Sequence, residues 1–316
     1  MAAIIECRSL TKSFGSLHAI QALDLDIEAG ASVGLVGPNG AGKTTLFSLF
    51  CGFLRPDHGT VRILGHHTHA AALKGRIGIL PQDIPLGRGI AVEEQLLLFA
   101  RLQGFRKAAA RAEVERVLAL AQVKDQSRKF PETLSYGQRK KVTLAQALLG
   151  EPDIILLDEP TSGLDPVAAS HVRSVIQKIR ESHTCIVSSH NLEEIKSVCD
   201  QIVVIDRGSL VKHCRIDDLL GQNNSLSVLL EEEPPAALLQ SLEADADIVH
   251  IAQEAPGNRR LTITFQHESP RQFQQQLLAR LEKHGVSVVE FSRGSAFTDK
   301  VIQLVSGRQT DATPSN

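Results

Sequence analysis

The sequence predicts an α/β core interrupted by a helical insertion and followed by a small α+β unit. Three observations carry that prediction. Short, branched-residue-rich apolar runs alternate with amphipathic helical patterns over roughly the first two hundred residues. Strand signals vanish between about Ala91 and Leu149, where only helical patterns remain. A polar stretch, Gly221-Gln222-Asn223-Asn224-Ser225, then reads as a linker, and a new order of elements begins beyond it.

Val33-Gly34-Leu35-Val36 reads as a buried strand, followed by a glycine-rich turn and a helix from about Lys43 to Phe50. Ile77-Gly78-Ile79-Leu80, Ile154-Ile155-Leu156-Leu157, Ile186-Val187-Ser188-Ser189 and Ile202-Val203-Val204-Ile205 read as further buried strands. The helix expected from Val167 to Ser182 carries an apolar stripe at Val172, Val175, Ile176 and Ile179. Such alternation predicts a mostly parallel sheet covered on both faces, because crossover helices must lie over the sheet. The organisation expected is a core over residues 1–220, a helical subdomain at about 91–149, an accessory domain over 226–306, and a disordered polar tail over 307–316. Within the accessory domain, strands are expected at Leu226–Leu230, Asp247–Ala252, Arg260–Gln266 and Val286–Phe291. Helices fall at Pro235–Leu242, Pro270–Lys283 and Ala296–Val305. The order βαββαβ with one extra helix predicts a ferredoxin-like layer.

Composition excludes several classes. The chain has 316 residues, 42% hydrophobic and 22% charged, with a formal net charge of -2. These are values of an ordinary globular protein, and no global excess of basic charge points to nucleic acid or an acidic lipid surface. Arg139-Lys140-Lys141 reads as a solvated helix face. The five cysteines are scattered, odd in number and without Cys-x-x-Cys spacing, so buried free thiols in a reducing compartment are expected. No secretion signal begins the chain, and no apolar run approaches the roughly 18 to 20 residues that cross a bilayer. His66-His67-Thr68-His69 has no neighbouring Cys, Asp or Glu and reads as a surface turn rather than a metal site.

Chemistry concentrates at two places. Gly37-Pro38-Asn39-Gly40-Ala41-Gly42-Lys43-Thr44-Thr45 satisfies G-x-x-x-x-G-K-[ST], with a strand before it and a helix after it. Its glycines let consecutive N–H groups turn inward as a phosphate nest, and the helix adds its positive end. Lys43 is expected on the β- and γ-phosphates, and the Thr44 hydroxyl on Mg²⁺. The apolar strand Ile154–Leu157 ends in Asp158-Glu159, two acids at a sheet edge where α/β ligands sit. Asp158 is expected to hold the metal, and Glu159 to polarise the attacking water. No internal repeat is present, so one nucleotide site per chain is expected.

Leu134-Ser135-Tyr136-Gly137-Gln138 resembles the signature motif of the ATP-binding-cassette (ABC) ATPases, and other elements of that family appear in order along the chain. Gln82 in Leu80-Pro81-Gln82-Asp83 resembles the Q-loop, Ser162-Gly163-Leu164-Asp165 the D-loop, and His190 the switch histidine. Phe14 stands where the family has an aromatic residue on adenine. The resemblance covers about residues 4–218 and implies a P-loop NTPase core with a mixed sheet. It further implies ATP and Mg²⁺ as cofactors, with the metal at Thr44, Gln82 and Asp158. Catalytic roles are implied for Glu159, His190, Gln82 and Lys43. Nucleotide contacts are implied at Phe14, residues 37–45, Ser135, Gly137, Gln138 and Asp165. Since Ser135 and Gly137 serve a partner's nucleotide in this family, it also implies a homo- or heterodimer. Tyr136 stands where many members have glycine, a position that tolerates a side chain pointing away from the phosphate.

The activity implied is ATP hydrolysis driving transport through a separate integral-membrane permease, most simply an exporter, on the cytoplasmic face of the membrane. No nucleic-acid partner is expected. An importer motor with a regulatory C-terminal domain, or a soluble ABC ATPase, remains open. Ribosome-acting members usually carry two cassettes and DNA-repair members long coiled coils, and this chain has neither.

Overall fold

A computed structural model describes residues 3–83, 86–220, 224–253, 258–267, 269–293 and 296–306. The predicted tail, 307–316, and linker residues Gly221, Gln222 and Asn223 lie outside the described residues. The chain forms two compact units, one ending at Arg215 and the other spanning Ile216–Ser306.

The first unit begins with a feature that the apolar runs do not predict. Strands β1 (Ala3–Phe14) and β2 (Leu17–Glu28) pair as a long antiparallel hairpin. After β3 (Ser32–Val36) and α1 (Lys43–Phe50), strands β4 (His58–Ile63) and β5 (His66–His67) complete a four-stranded sheet of order β2-β1-β4-β5. His66 and His67 are exposed on this hairpin edge.

The predicted buried strands form a second sheet. They are β3 with β6 (Ile77–Leu80), β7 (Ile154–Asp158), β8 (Thr184–Ser188) and β9 (Gln201–Asp206), with β10 (Ser209–Arg215) added at one edge. The order is β10-β9-β3-β8-β7-β6, parallel throughout except for the β10–β9 pair, so the sheet is mixed. Strands β3, β7 and β8 are buried at every position, as expected of parallel strands covered on both faces. Val33, Leu35, Leu156, Ile186 and Val203 share one core with Leu46, Phe47, Leu49 and Phe50 of α1. Between β6 and β7 the chain is helical, with α2 (Val92–Leu102), α3 (Lys107–Leu120) and α4 (Tyr136–Ala147). Helix α5 (Pro166–Ile179) lies between β7 and β8, and α6 (Leu192–Val198) between β8 and β9.

The second unit opens with α7 (Ile216–Leu220) and runs β11 (Asn224–Leu230), α8 (Ala236–Glu243), β12 (Ile248–Gln253), β13 (Arg260–Phe265), α9 (Pro270–Lys283), β14 (Val288–Arg293) and α10 (Ala296–Ser306). The sheet order is β12-β13-β11-β14 with every neighbour antiparallel. That is the ferredoxin-like arrangement. Alternate residues Leu226, Val228, Leu230, Leu261, Ile263 and Phe265 turn to one face and pack with Leu238, Leu242, Phe273, Leu277 and Leu281 of α8 and α9.

Candidate active site

The phosphate loop leaves the C-terminal end of β3 and enters α1 at Lys43. Gly42 has φ +107°, and a Cβ there would stand 2.4 Å from the Ala19 carbonyl oxygen. The turn therefore closes against β2 only with glycine at this place. Lys43 is 9% exposed and its Nζ donates to the carbonyls of Gly37 (2.7 Å) and Pro38 (3.2 Å), holding the loop curled. Burial pushes its pKa down, and the nearby Glu159 and Asp158 carboxylates pull the other way.

The acids at the end of β7 meet this loop. Thr44 Oγ1 donates to Asp158 Oδ2 at 3.0 Å, so the two residues expected at the metal are in direct contact. Asp158 is buried, and its other oxygen accepts from Ser188 Oγ of the neighbouring strand β8. Ser188 Oγ in turn accepts from the Glu159 N–H at 3.1 Å. Glu159 sits at φ 48°, a left-handed conformation that a non-glycine residue adopts at a cost of about 1–2 kcal/mol. Its N–H bonds to Ser188 help to hold that backbone. The Glu159 Oε2 meets His190 Nδ1 at 2.8 Å, with the carboxylate largely buried and the imidazole exposed.

An open cleft of about 430 Å³ is lined by Phe14, Leu17, Ala19, residues 39–45, Gln82, Asp158 and Glu159. This falls within the roughly 300–1,000 Å³ usual for small-molecule sites. Phe14 is 47% exposed, with Lys12 Nζ 5.6 Å from its ring centre and paired with Asp57. Cationic Lys43, the curled loop and an exposed aromatic face thus share one cleft with two acids.

Other sequence-predicted residues lie elsewhere. Ser135, Gly137, Gln138 and Asp165 do not line the cleft. Ser135 is the N-cap of α4 and closes a capping box with Gln138, each side chain bonding the other's backbone N–H. Asp165 caps α5 through the Val167 and Ala168 N–H groups. Arg139-Lys140-Lys141 is not the solvated face expected of it. Lys140 is 1% exposed and donates to the backbone carbonyl of Gln82 at 3.2 Å. Of the three charges it is Lys140 that the helix turns toward the Pro81 and Gln82 carbonyls, which take its ammonium out of solvent.

The pattern of motifs also misses Thr161, Ser188, Ser189, Lys140 and Glu194, all of which bond to the loops around this cleft. The two hydroxyls that end the apolar strand Ile186-Val187-Ser188-Ser189 were the available signal, because buried hydroxyls need partners.

Residues 20–162 match the ABC transporter family. Over 257 residues the chain is 34% identical to the Nod factor export ATP-binding protein I of Burkholderia orbicola (strain AU 1054), spanning 79% of this chain and 84% of that protein. The chain belongs to the ABC transporter family. It is an ATP-binding, ATP-hydrolysing ABC protein, and the cleft built on Lys43 and Glu159 is the candidate site of that reaction. The daunorubicin/doxorubicin resistance ATP-binding protein DrrA of Streptomyces peucetius is 29% identical over 313 residues, covering 97% of this ABC protein and 93% of its own length. Among solved structures, cbiO1 of Clostridium perfringens, part of the ABC transporter complex cbiONQ, aligns with a TM-score of 0.62 at 26% identity. That alignment covers 68% of this chain and 89% of that one. Among the described residues, no helix is long and apolar enough to cross a membrane.

Proposed function

We propose that the chain is the ATPase subunit of an exporter, working as a dimer on the cytoplasmic face of the cell membrane with a separately encoded permease. The observation that carries this reading is the incomplete site. Ser135 and Gly137 stand at the start of α4, outside the cleft that holds Lys43, Thr44 and Glu159 in the same chain. A second subunit would bring its own signature turn to this cleft and offer its cleft in return. The export and resistance relatives favour an exporter, and likeness to DrrA extends over 313 residues, well beyond the phosphate-loop unit.

In this reading Phe14 stacks on the base, residues 37–45 and Lys43 hold the phosphates, and Glu159 takes a proton from the attacking water. His190 orients Glu159 through the 2.8 Å contact and faces the γ-phosphate from its exposed side. Thr44 and Asp158 offer a hydroxyl and a carboxylate oxygen within 3.0 Å of each other, and Gln82 adds an amide on the same cleft. Such a small set of hard oxygen donors suits Mg²⁺, which takes one or two protein carboxylates and fills its shell with water and phosphate. When bound, the metal supplies neutralisation of phosphate charge.

Glu159→Gln tests the reading. It should bind ATP, lose hydrolysis and accumulate as an ATP-bound dimer in light scattering. Turnover at the wild-type rate would remove Glu159 from the chemistry, and an ATP-loaded monomer would remove the dimer. Lys43→Ala should abolish nucleotide binding. Co-expression with a candidate integral-membrane permease should move the chain from the supernatant to the membrane fraction; partitioning that changes with no permease partner would count against the reading.

A further inference from the structure

Glu194 is a buried carboxylate outside the set of motif residues. It is 3% exposed on α6, and its own N–H is capped by Asn191 Oδ1. Its neighbour Ile195 seats the helix on β3, where a Cβ at Gly34 would stand only 2.2 Å from Ile195 Cγ2. The helix is thus pressed onto the strand that feeds the phosphate loop, and Glu194 stands on a fixed post.

Both carboxylate oxygens are taken by hydroxyls from two other segments. Thr161 Oγ1 donates to Oε1 at 2.7 Å, and Ser189 Oγ donates to Oε2 at 2.7 Å. Thr161 lies two residues after Glu159 and opens the turn into Ser162–Asp165. Ser189 immediately precedes His190, and its oxygen also accepts from the Asn191 N–H at 3.0 Å. One side chain therefore ties the segment leaving Glu159 to the segment entering His190. An acid in the first turn of a helix gains from the helix dipole wherever it points. That gain does not account for two hydroxyl bonds from two different loops.

We propose that Glu194 is a positioning residue for ATP hydrolysis, holding the segments around Glu159 and His190 in one frame through Thr161 and Ser189. The proposal rests on the roles given above to Glu159 and His190. Loss of the tie lets the two loops drift apart, and misplacement by about 1 Å costs on the order of a hundredfold in rate. Nucleotide binding, which depends on Phe14 and the phosphate loop, stays as it is.

The test uses the full chain with Glu194→Ala, Glu194→Gln, Thr161→Val and Ser189→Ala, beside Glu159→Gln. Glu194→Ala should lower kcat by roughly ten- to a hundredfold while KM and the Kd for ATP change less than about twofold. Glu194→Gln keeps one acceptor and a hydrogen-bonding amide, so it should recover most of that loss. Thr161→Val added to Glu194→Ala should cost little more than Glu194→Ala alone. Wild-type kcat in Glu194→Ala, or a fall that merely follows the folded fraction, overturns the proposal. If Glu194→Ala does not fold, Thr161→Val and Ser189→Ala decide: a lower kcat at unchanged Kd supports the tie, and wild-type kcat in both overturns it. An active Glu159→Gln would instead sink the underlying assignment of Glu159. An inactive Glu159→Gln with fully active Glu194→Ala sinks the tie alone.

Discussion

The ring of Tyr136 lies over Gly163: a Cβ added at Gly163 would stand 3.2 Å from Tyr136 Cε1. Tyr136, at the start of α4, thus packs on the Ser162–Asp165 turn of its own chain, and the neighbouring Gly137 lies against Leu164 and Ala168. Gly163 has φ +73°, so alanine there is strained by about 1–2 kcal/mol before any clash. Gly163→Ala should therefore destabilise the protein, and by less in a Tyr136→Gly background, where the ring no longer crowds it. A double-mutant cycle in urea measures the difference; equal losses in both backgrounds would mean that the ring and the glycine do not couple.

The close approach at Gly42 makes a second prediction. Gly42→Ala should cost about 2 kcal/mol or more, because it combines φ +107° with a Cβ placed 2.4 Å from the Ala19 carbonyl. Shifting the loop to relieve that contact disturbs the Lys43 bonds to Gly37 and Pro38, so ATP affinity should fall as well. Urea denaturation and a nucleotide titration check the two effects separately.

Lys140 gives a prediction in pH. Burial lowers its pKa from 10.5, against the opposing pull of Asp158, Glu159 and Asp83. The unfolded chain then holds that proton more tightly than the folded one, so this group's contribution to stability rises with pH between its lowered value and 10.5. Wild type should gain stability relative to Lys140→Met as pH climbs through that window. A gap that narrows, measured by urea unfolding at successive pH values, would contradict the burial of the charged group. At neutral pH, Lys140→Met should also slow hydrolysis, because the Gln82 carbonyl loses its donor.

The thiols provide a simpler check. Burial pushes Cys7, Cys51 and Cys185 up to about 12 and Cys199 further still. At about pH 8 the three buried thiols, Cys7, Cys185 and Cys199, should resist a thiol-specific reagent in the native protein and react once it is unfolded. Rapid native labelling, mapped by mass spectrometry, would show that one of them opens to solvent.

The legible parts of this protein are those written in short spacings. Helix α1 and helix α9 have the bounds that the pattern predicts, because capping, glycine placement and periodicity act within a few residues. The β1–β2 hairpin is less readable. Register shifts interrupt it, and Ser9 (φ 45°) and Ala22 (φ 41°) break the alternation that announces a strand. The burial of Lys140 is not legible either, since a run of three charges fits a solvated helix face and only the tertiary contact with the Pro81 and Gln82 carbonyls takes this one out of solvent.

By itself the sequence determined the glycine-rich loop between β3 and α1, the Asp158-Glu159 pair at the end of β7 and the βαββαβ order of the second unit, because each is a matter of local spacing and residue type. Tertiary structure alone decided that Thr44 touches Asp158, that Ser188 braces Glu159, that Tyr136 covers Gly163 and that Glu194 joins Thr161 to Ser189. Apart from Ser189 and Glu194, those partners lie tens of residues apart. A hydroxyl or a carboxylate becomes a tie only when the parallel strands and the helices over them remove it from water and leave only protein groups to bond it.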